Sequence, residues 1–79
     1  MRARVTVTLK PGVLDPQGQA ITGSLKSLGF SGVSSVRQGK VFDLELGDAD
    51  PAEARISLAA MCERLLANTV IETYAIEIV

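Results

Sequence analysis

Among its 79 residues the sequence has no histidine, no tryptophan and a single cysteine, Cys62. Each scarcity closes off a class of chemistry. Without imidazole, general acid–base work falls to carboxylates, lysine, tyrosine or thiol, each needing a partner that shifts its pKa, and no such pair stands out. One cysteine rules out an internal disulfide, and with no histidine beside it transition metals lack their usual ligands. Two Phe and one Tyr (Phe30, Phe42, Tyr74) offer little to stack on bases, and a net charge of −1 lacks the positive footprint of a nucleic-acid binder. No apolar run is long enough to span a membrane. The opening "MRARVTVTLK" is basic, but polar residues interrupt what would have to be the apolar region of a secretory leader, so a cytoplasmic protein is expected.

What is present is a dispersed hydrophobic content of 47%, with no internal repeat, low-complexity tract or linker, which predicts one globular domain over residues 1–79. So short a chain buries only about 60–65% of the surface its unfolded form exposes. Self-association or a partner is therefore expected.

"RVTVTL" alternates, with Val5, Val7 and Leu9 on one face and Arg4, Thr6 and Thr8 on the other, the period of a half-covered strand. In "VLDPQGQAITGSL", Asp15 suits an N-cap and Pro16 the first helical position, and Ile21, Leu25 and Leu28 recur at helical spacing up to Gly29. The glycines there do not make a phosphate loop, since no Lys follows Gly18 or Gly23 and Asp15 would repel an anion. "VSSVRQGKVFDLEL" predicts a hairpin turning near Gln38, Gly39 and Lys40. "DADPAEARISLAAMCERLLAN" predicts a helix capped by Asp50, with Glu53 completing a capping box. Its inward stripe is expected at Ala54, Leu58, Met61, Cys62 and Leu65, and Asn68 should end it in the left-handed conformation. "VIETYAIEIV" supplies a last strand.

The order strand–helix–strand–strand–helix–strand predicts an α+β, ferredoxin-like split βαβ fold, βαββαβ, with a four-stranded antiparallel sheet and both helices on one face. The helix-free face would combine Arg4, Thr6, Asp43, Glu45 and Glu77 with Val41, Ala75 and Val79, which suits cover by a partner or a second copy.

No chemistry emerges along the chain. Asp48 and Asp50 flank a helix start, where acids favour the dipole. Lys40 reads as a turn lysine. Cys62, between Met61 and Leu65 with no activating base, reads as a buried, inert thiol. Among domains of this shape, an RNA-recognition module would need more aromatics than Phe42. A metal-delivery domain would need a Cys-x-x-Cys loop, and an acylphosphatase an arginine-bearing phosphate loop. A ligand-binding regulatory domain leaves little trace and stays open as an alternative.

Three segments taken together, "VLDPQG" at 13–18, "VRQGKVFDLEL" at 36–46 and "CERLLANTVIETYAIEI" at 62–78, closely resemble the PurS family, the small subunit of phosphoribosylformylglycinamidine synthase in bacteria and archaea. The resemblance covers essentially the whole chain. It implies a non-catalytic subunit of the step that converts formylglycinamide ribonucleotide to its amidine with ATP and glutamine in purine synthesis. Such a subunit would form a homodimer or higher oligomer and bridge a glutaminase subunit, PurQ, to a large synthetase, PurL, helping ammonia pass between them. ATP and magnesium would belong to the synthetase, with no cofactor in this chain. The family's Leu-Asp-Pro-Gln-Gly falls on Leu14 to Gly18 and its Leu-Leu-Ala-Asn on Leu65 to Asn68. Thr69 replaces the proline of many relatives, and Thr73 stands where an acidic or small polar residue often precedes the tyrosine. Capping leaves Gln17 unexplained, and with Arg37, Lys40, Asn68, Thr69 and Glu72 it makes up the candidate partner contacts.

Overall fold

The computed structural model describes residues 1–79. Its organising element is β1, Arg2–Leu9, whose alternation places Ala3, Val5 and Val7 on one face and buries all three. Antiparallel neighbours β2 (Gly39–Glu45) and β3 (Glu72–Ile78) flank it in the order β2-β1-β3. Val5 lies opposite Phe42 on one side and Ile76 on the other, so apolar side chains meet across both ladders on the same face. Over that face runs α2, Pro51–Met61, with Asp50 accepting the Glu53 N–H at 3.2 Å as its cap. Leu58, Cys62 and Ala67 complete the core with Ala3, Val5 and Val7.

The opposite face is polar and internally paired. Arg4 Nε donates to Asp43 Oδ1 at 2.8 Å, raising the arginine's pKa and lowering the aspartate's, and Arg2 lies 3.8 Å from Glu45. Beside them the Thr8 and Thr73 hydroxyls meet at 3.3 Å.

Three expectations are corrected. First, the sheet has three strands, not four, and no hairpin forms: the 33–38 half stays irregular while β2 pairs directly with β1. Its polar groups are engaged elsewhere, with Gln38 N–H donating to Asp15 Oδ2 at 2.8 Å and Arg37 Nη2 to the Lys10 carbonyl at 3.0 Å. The Gln38 bond ties the end of this segment to the start of α1 rather than to a neighbouring strand.

Second, only one helix covers the sheet. Helix α1, Pro16–Ser27, contributes no residue to the core, and the main packing is of β1 on its neighbours and of α2 on β3. The chain is correspondingly long, 48 × 24 × 14 Å, with a radius of gyration of 15.9 Å, where about 12 Å is usual for a compact chain of this length. Local signals still hold in α1. Gly29, at φ 97°, donates to the Lys26 carbonyl while Phe30 N–H reaches Leu25, a Schellman ending that needs the left-handed residue.

Third, α2 passes into a π-helical turn, Cys62–Leu66, closed by Ala67 N–H on the Cys62 carbonyl. The extra residue in that turn advances the inward position by one. Leu66 packs on the core while Leu65 is 82% exposed, reversing the expected stripe, and Met61 also lies at the surface. Asn68 keeps a negative φ. It ends the helix as a turn organiser instead, its side-chain oxygen accepting from Val70 N–H and its carbonyl from Ile71 and Glu72.

Candidate functional site

Asp15 is 5% exposed and carries two connections at once. One carboxylate oxygen caps α1 by accepting the Gly18 N–H at 2.9 Å, and the other accepts the Gln38 N–H at 2.8 Å, just before β2. These two bonds, Gln38 first, hold its pKa below the usual carboxylate range against the opposing effect of burial. Gly18 makes the junction possible. A Cβ there would lie 2.1 Å from the Val36 carbonyl oxygen, a backbone atom. The stretch that began as a helix cap is therefore also a clasp between α1 and the segment entering β2.

Next to the clasp, one end of the sheet opens into a shallow recess lined by Val7, Leu9, Asp15, Gln17, Gln38, Gly39, Lys40 and Glu72. Three of the sequence candidates, Gln17, Lys40 and Glu72, meet there. Lys40 Nζ stands 3.7 Å from Glu72 Oε2, and Glu72 Oε1 accepts the Asn68 N–H at 2.7 Å, which ties the "LLAN" end of the π-helical turn to the same place. Thr69 follows in that turn, half-buried, without lining the recess. Arg37 is not brought in. It lines a separate groove between α1 and residues 34–37, with Lys26, Ser34 and Ser35 among its neighbours.

The recess offers an amide, an ammonium and a carboxylate on a mostly apolar floor, which suits holding a polar side chain of another protein. Elsewhere, burial pushes the Cys62 thiol up, and Tyr74, whose hydroxyl donates to Glu63 Oε1 at 3.0 Å, is likewise raised, so both stay protonated near neutral pH. No three His, Cys, Asp or Glu side chains gather closely enough to hold a metal ion, and no helix is long and apolar enough to cross a membrane. Sequence reasoning missed Gln38 and the second bond of Asp15. The pairing spans |i−j| of 23, and nothing local signals it.

With that geometry in hand, similarity to known proteins is consistent over the whole chain. The family model for PurS, phosphoribosylformylglycinamidine (FGAM) synthase, matches residues 2–79. The phosphoribosylformylglycinamidine synthase subunit PurS of Mycobacterium leprae is 55% identical over 76 residues, covering 95% of this chain and 91% of that protein. Its counterpart in Synechocystis is 53% identical over 75 residues, 95% of this chain and 75% of that protein. Among solved structures, Bacillus subtilis PurS superposes with a TM-score of 0.87 at 43% identity, covering 96% of this chain and 94% of that one. A chain in the structure of PurLQS from Thermotoga maritima also superposes at 0.87, with 29% identity over 96% of this chain and 93% of that one.

Proposed function

This chain belongs to the PurS family of phosphoribosylformylglycinamidine synthase subunits, and from that premise we propose that it is the non-catalytic bridge of the enzyme. In this reading it joins the glutaminase PurQ to the ATP-dependent synthetase PurL and assists the passage of ammonia between them. The observation that carries the reading is the likeness over nearly the whole chain to a chain of the PurLQS structure. One other supports it: the recess gathers Gln17, Lys40 and Glu72 at one end of the sheet, polar groups that a partner's side chains could engage. Residues 1–79 act as one domain that self-associates, works in the cytoplasm and binds no cofactor of its own, ATP and magnesium belonging to the synthetase.

Reconstitution tests this directly. Glutamine-dependent amidine formation should need all three subunits, and the purified chain alone should hydrolyse neither glutamine nor ATP above background. Turnover that survives repurification of the isolated chain would place a catalytic group within it and overturn the reading.

The recess makes a separate prediction. The Gln17 side chain is exposed, so Gln17→Ala should leave the thermal midpoint unchanged. Loss of one intersubunit hydrogen bond should weaken assembly with PurL and PurQ by up to about tenfold. Unaltered assembly, measured by titration of the fluorescently labelled chain, would remove Gln17 from the contact surface.

A further inference from the structure

The largest hollow on the surface, about 380 Å³, lies between α1 and residues 34–37, and apart from Asp15 it shares no residue with the recess at the end of the sheet. That volume suits a small molecule rather than a single ion. From α1 the hollow takes Gln19, Thr22 and Lys26, which recur at helical spacing on the side turned away from Ile21 and Leu28. The apolar stripe of the helix is not part of it.

The facing wall is rich in donors that the chain itself does not engage. From Ser31 to Arg37 no backbone N–H is given to another group of the chain, although the flanking Phe30 and Gln38 N–H groups both are. Ser34 and Ser35 add two hydroxyls. Two cations complete the lining, and neither Lys26 nor Arg37 forms an ion pair, whereas Arg2, Arg4 and Lys40 each do. Arg37 is steadied beside the hollow by its Nη2 bond to the Lys10 carbonyl at 3.0 Å. The one acid there, Asp15, has each oxygen already on an N–H, so it offers no free acceptor to a cation.

We propose that this hollow binds a small sugar phosphate, its phosphate monoester resting between Lys26, Arg37 and the N–H groups of residues 34–37, and its sugar hydroxyls meeting Gln19, Thr22 and the two serines. A phosphate monoester brings nearly two negative charges and three strong acceptor oxygens, which can use ammonium, guanidinium and backbone donors together. A carboxylate has one charge and two oxygens, and would leave donors idle. The sugar end needs acceptors as well, and Thr22 supplies one: its hydroxyl donates to the Gly18 carbonyl at 2.8 Å and keeps its lone pairs.

The test is an amide-resolved NMR titration of the isotope-labelled full chain at neutral pH and constant ionic strength, with ribose 5-phosphate, inorganic phosphate and acetate as probes. Ribose 5-phosphate should shift the amides of residues 26 and 34–37 saturably and bind more tightly than inorganic phosphate, while acetate should leave them in place. Lys26→Gln and Arg37→Gln, both exposed, should each weaken binding about three- to tenfold. Arg55→Gln removes the same charge from an exposed, unpaired position on α2 outside the hollow, so it should change nothing.

Shifts at 34–37 that never saturate, or an equal loss from Arg55→Gln, would overturn the site, because net charge alone would then account for the response. Acetate as effective as ribose 5-phosphate would overturn it too, and would assign the donors to an acidic side chain of another protein. Inorganic phosphate binding as tightly as ribose 5-phosphate would reduce the hollow to an ion site and refute the sugar phosphate. Should Arg37→Gln misfold for want of its bond to Lys10, Lys26→Gln decides alone, since the Lys26 side chain makes no hydrogen bond or ion pair within the chain.

Discussion

Gly18→Ala should markedly lower the thermal midpoint, although alanine is intrinsically the better helix former. Helix propensity favours the substitution by about 1 kcal/mol. Against it stands a Cβ placed 2.1 Å from the Val36 carbonyl oxygen and 2.9 Å from Asp15 Oδ2, in a helix start that closes on neighbouring backbone. Relieving that overlap means moving residues 36–38 away from α1, which also stretches the Gln38 bond to Asp15. Overpacking of this kind costs about 1–3 kcal/mol before the lost hydrogen bond is counted. A domain of this size has on the order of 4–12 kcal/mol in total, and the midpoint should drop by roughly 10–20 °C. Gly23→Ala is the internal control: it lies in the same helix with nothing within 4 Å of the added carbon, so it should stabilise slightly. If both substitutions move the midpoint the same way in thermal denaturation, close packing at Gly18 is not what the position requires.

Asp15→Ala should rank second, because one side chain serves two segments. Its removal strips the cap from α1 and leaves the Gln38 N–H, partly buried, without its acceptor. A fall in the midpoint on the order of 10 °C is expected at neutral pH. The effect should depend on pH with a definite sign. Hydrogen bonds from Gln38 and then Gly18 lower the folded-state pKa of Asp15 below its unfolded value. Its contribution is therefore fully present above the unfolded value of about 4 and is lost as pH falls through the folded one. The gap between the unaltered chain and Asp15→Ala should be wide at pH 7 and narrow progressively below about pH 4. Asp43, also lowered by its bond from Arg4, is present in both proteins and shifts both curves alike. A gap that stays constant down to pH 3 would show that the carboxylate's charge is not what the clasp uses.

Local chemistry was readable where neighbours in sequence are also neighbours in space. The alternation through Val5 and Val7 placed the central strand, Asp15 and Asp50 placed two helix starts, and Gly29 placed a helix end. The motifs resembling PurS named the family, and Gln17, Lys40 and Glu72 from those motifs do converge on one recess. What failed depended on distant partners. "VSSV" has the composition of a strand, yet its continuation binds Asp15 and Lys10, so only β2 joins the sheet. Leu65 and Leu66 are alike as residues, and the π-helical turn alone chose which faces the core.

The sequence by itself determined where the two helices begin and where three of the four expected strands lie, the absence of histidine chemistry, and family membership, because each follows from residue identity and short-range spacing. Only the tertiary structure decided that the sheet has three strands, that Gly18 and Asp15 form a clasp with residues 36–38, and that α1 leaves the core uncovered on one side. The physical reason is that a backbone N–H or an apolar face accepts any partner of the right chemistry, and the choice among partners is made by the packing of the whole chain.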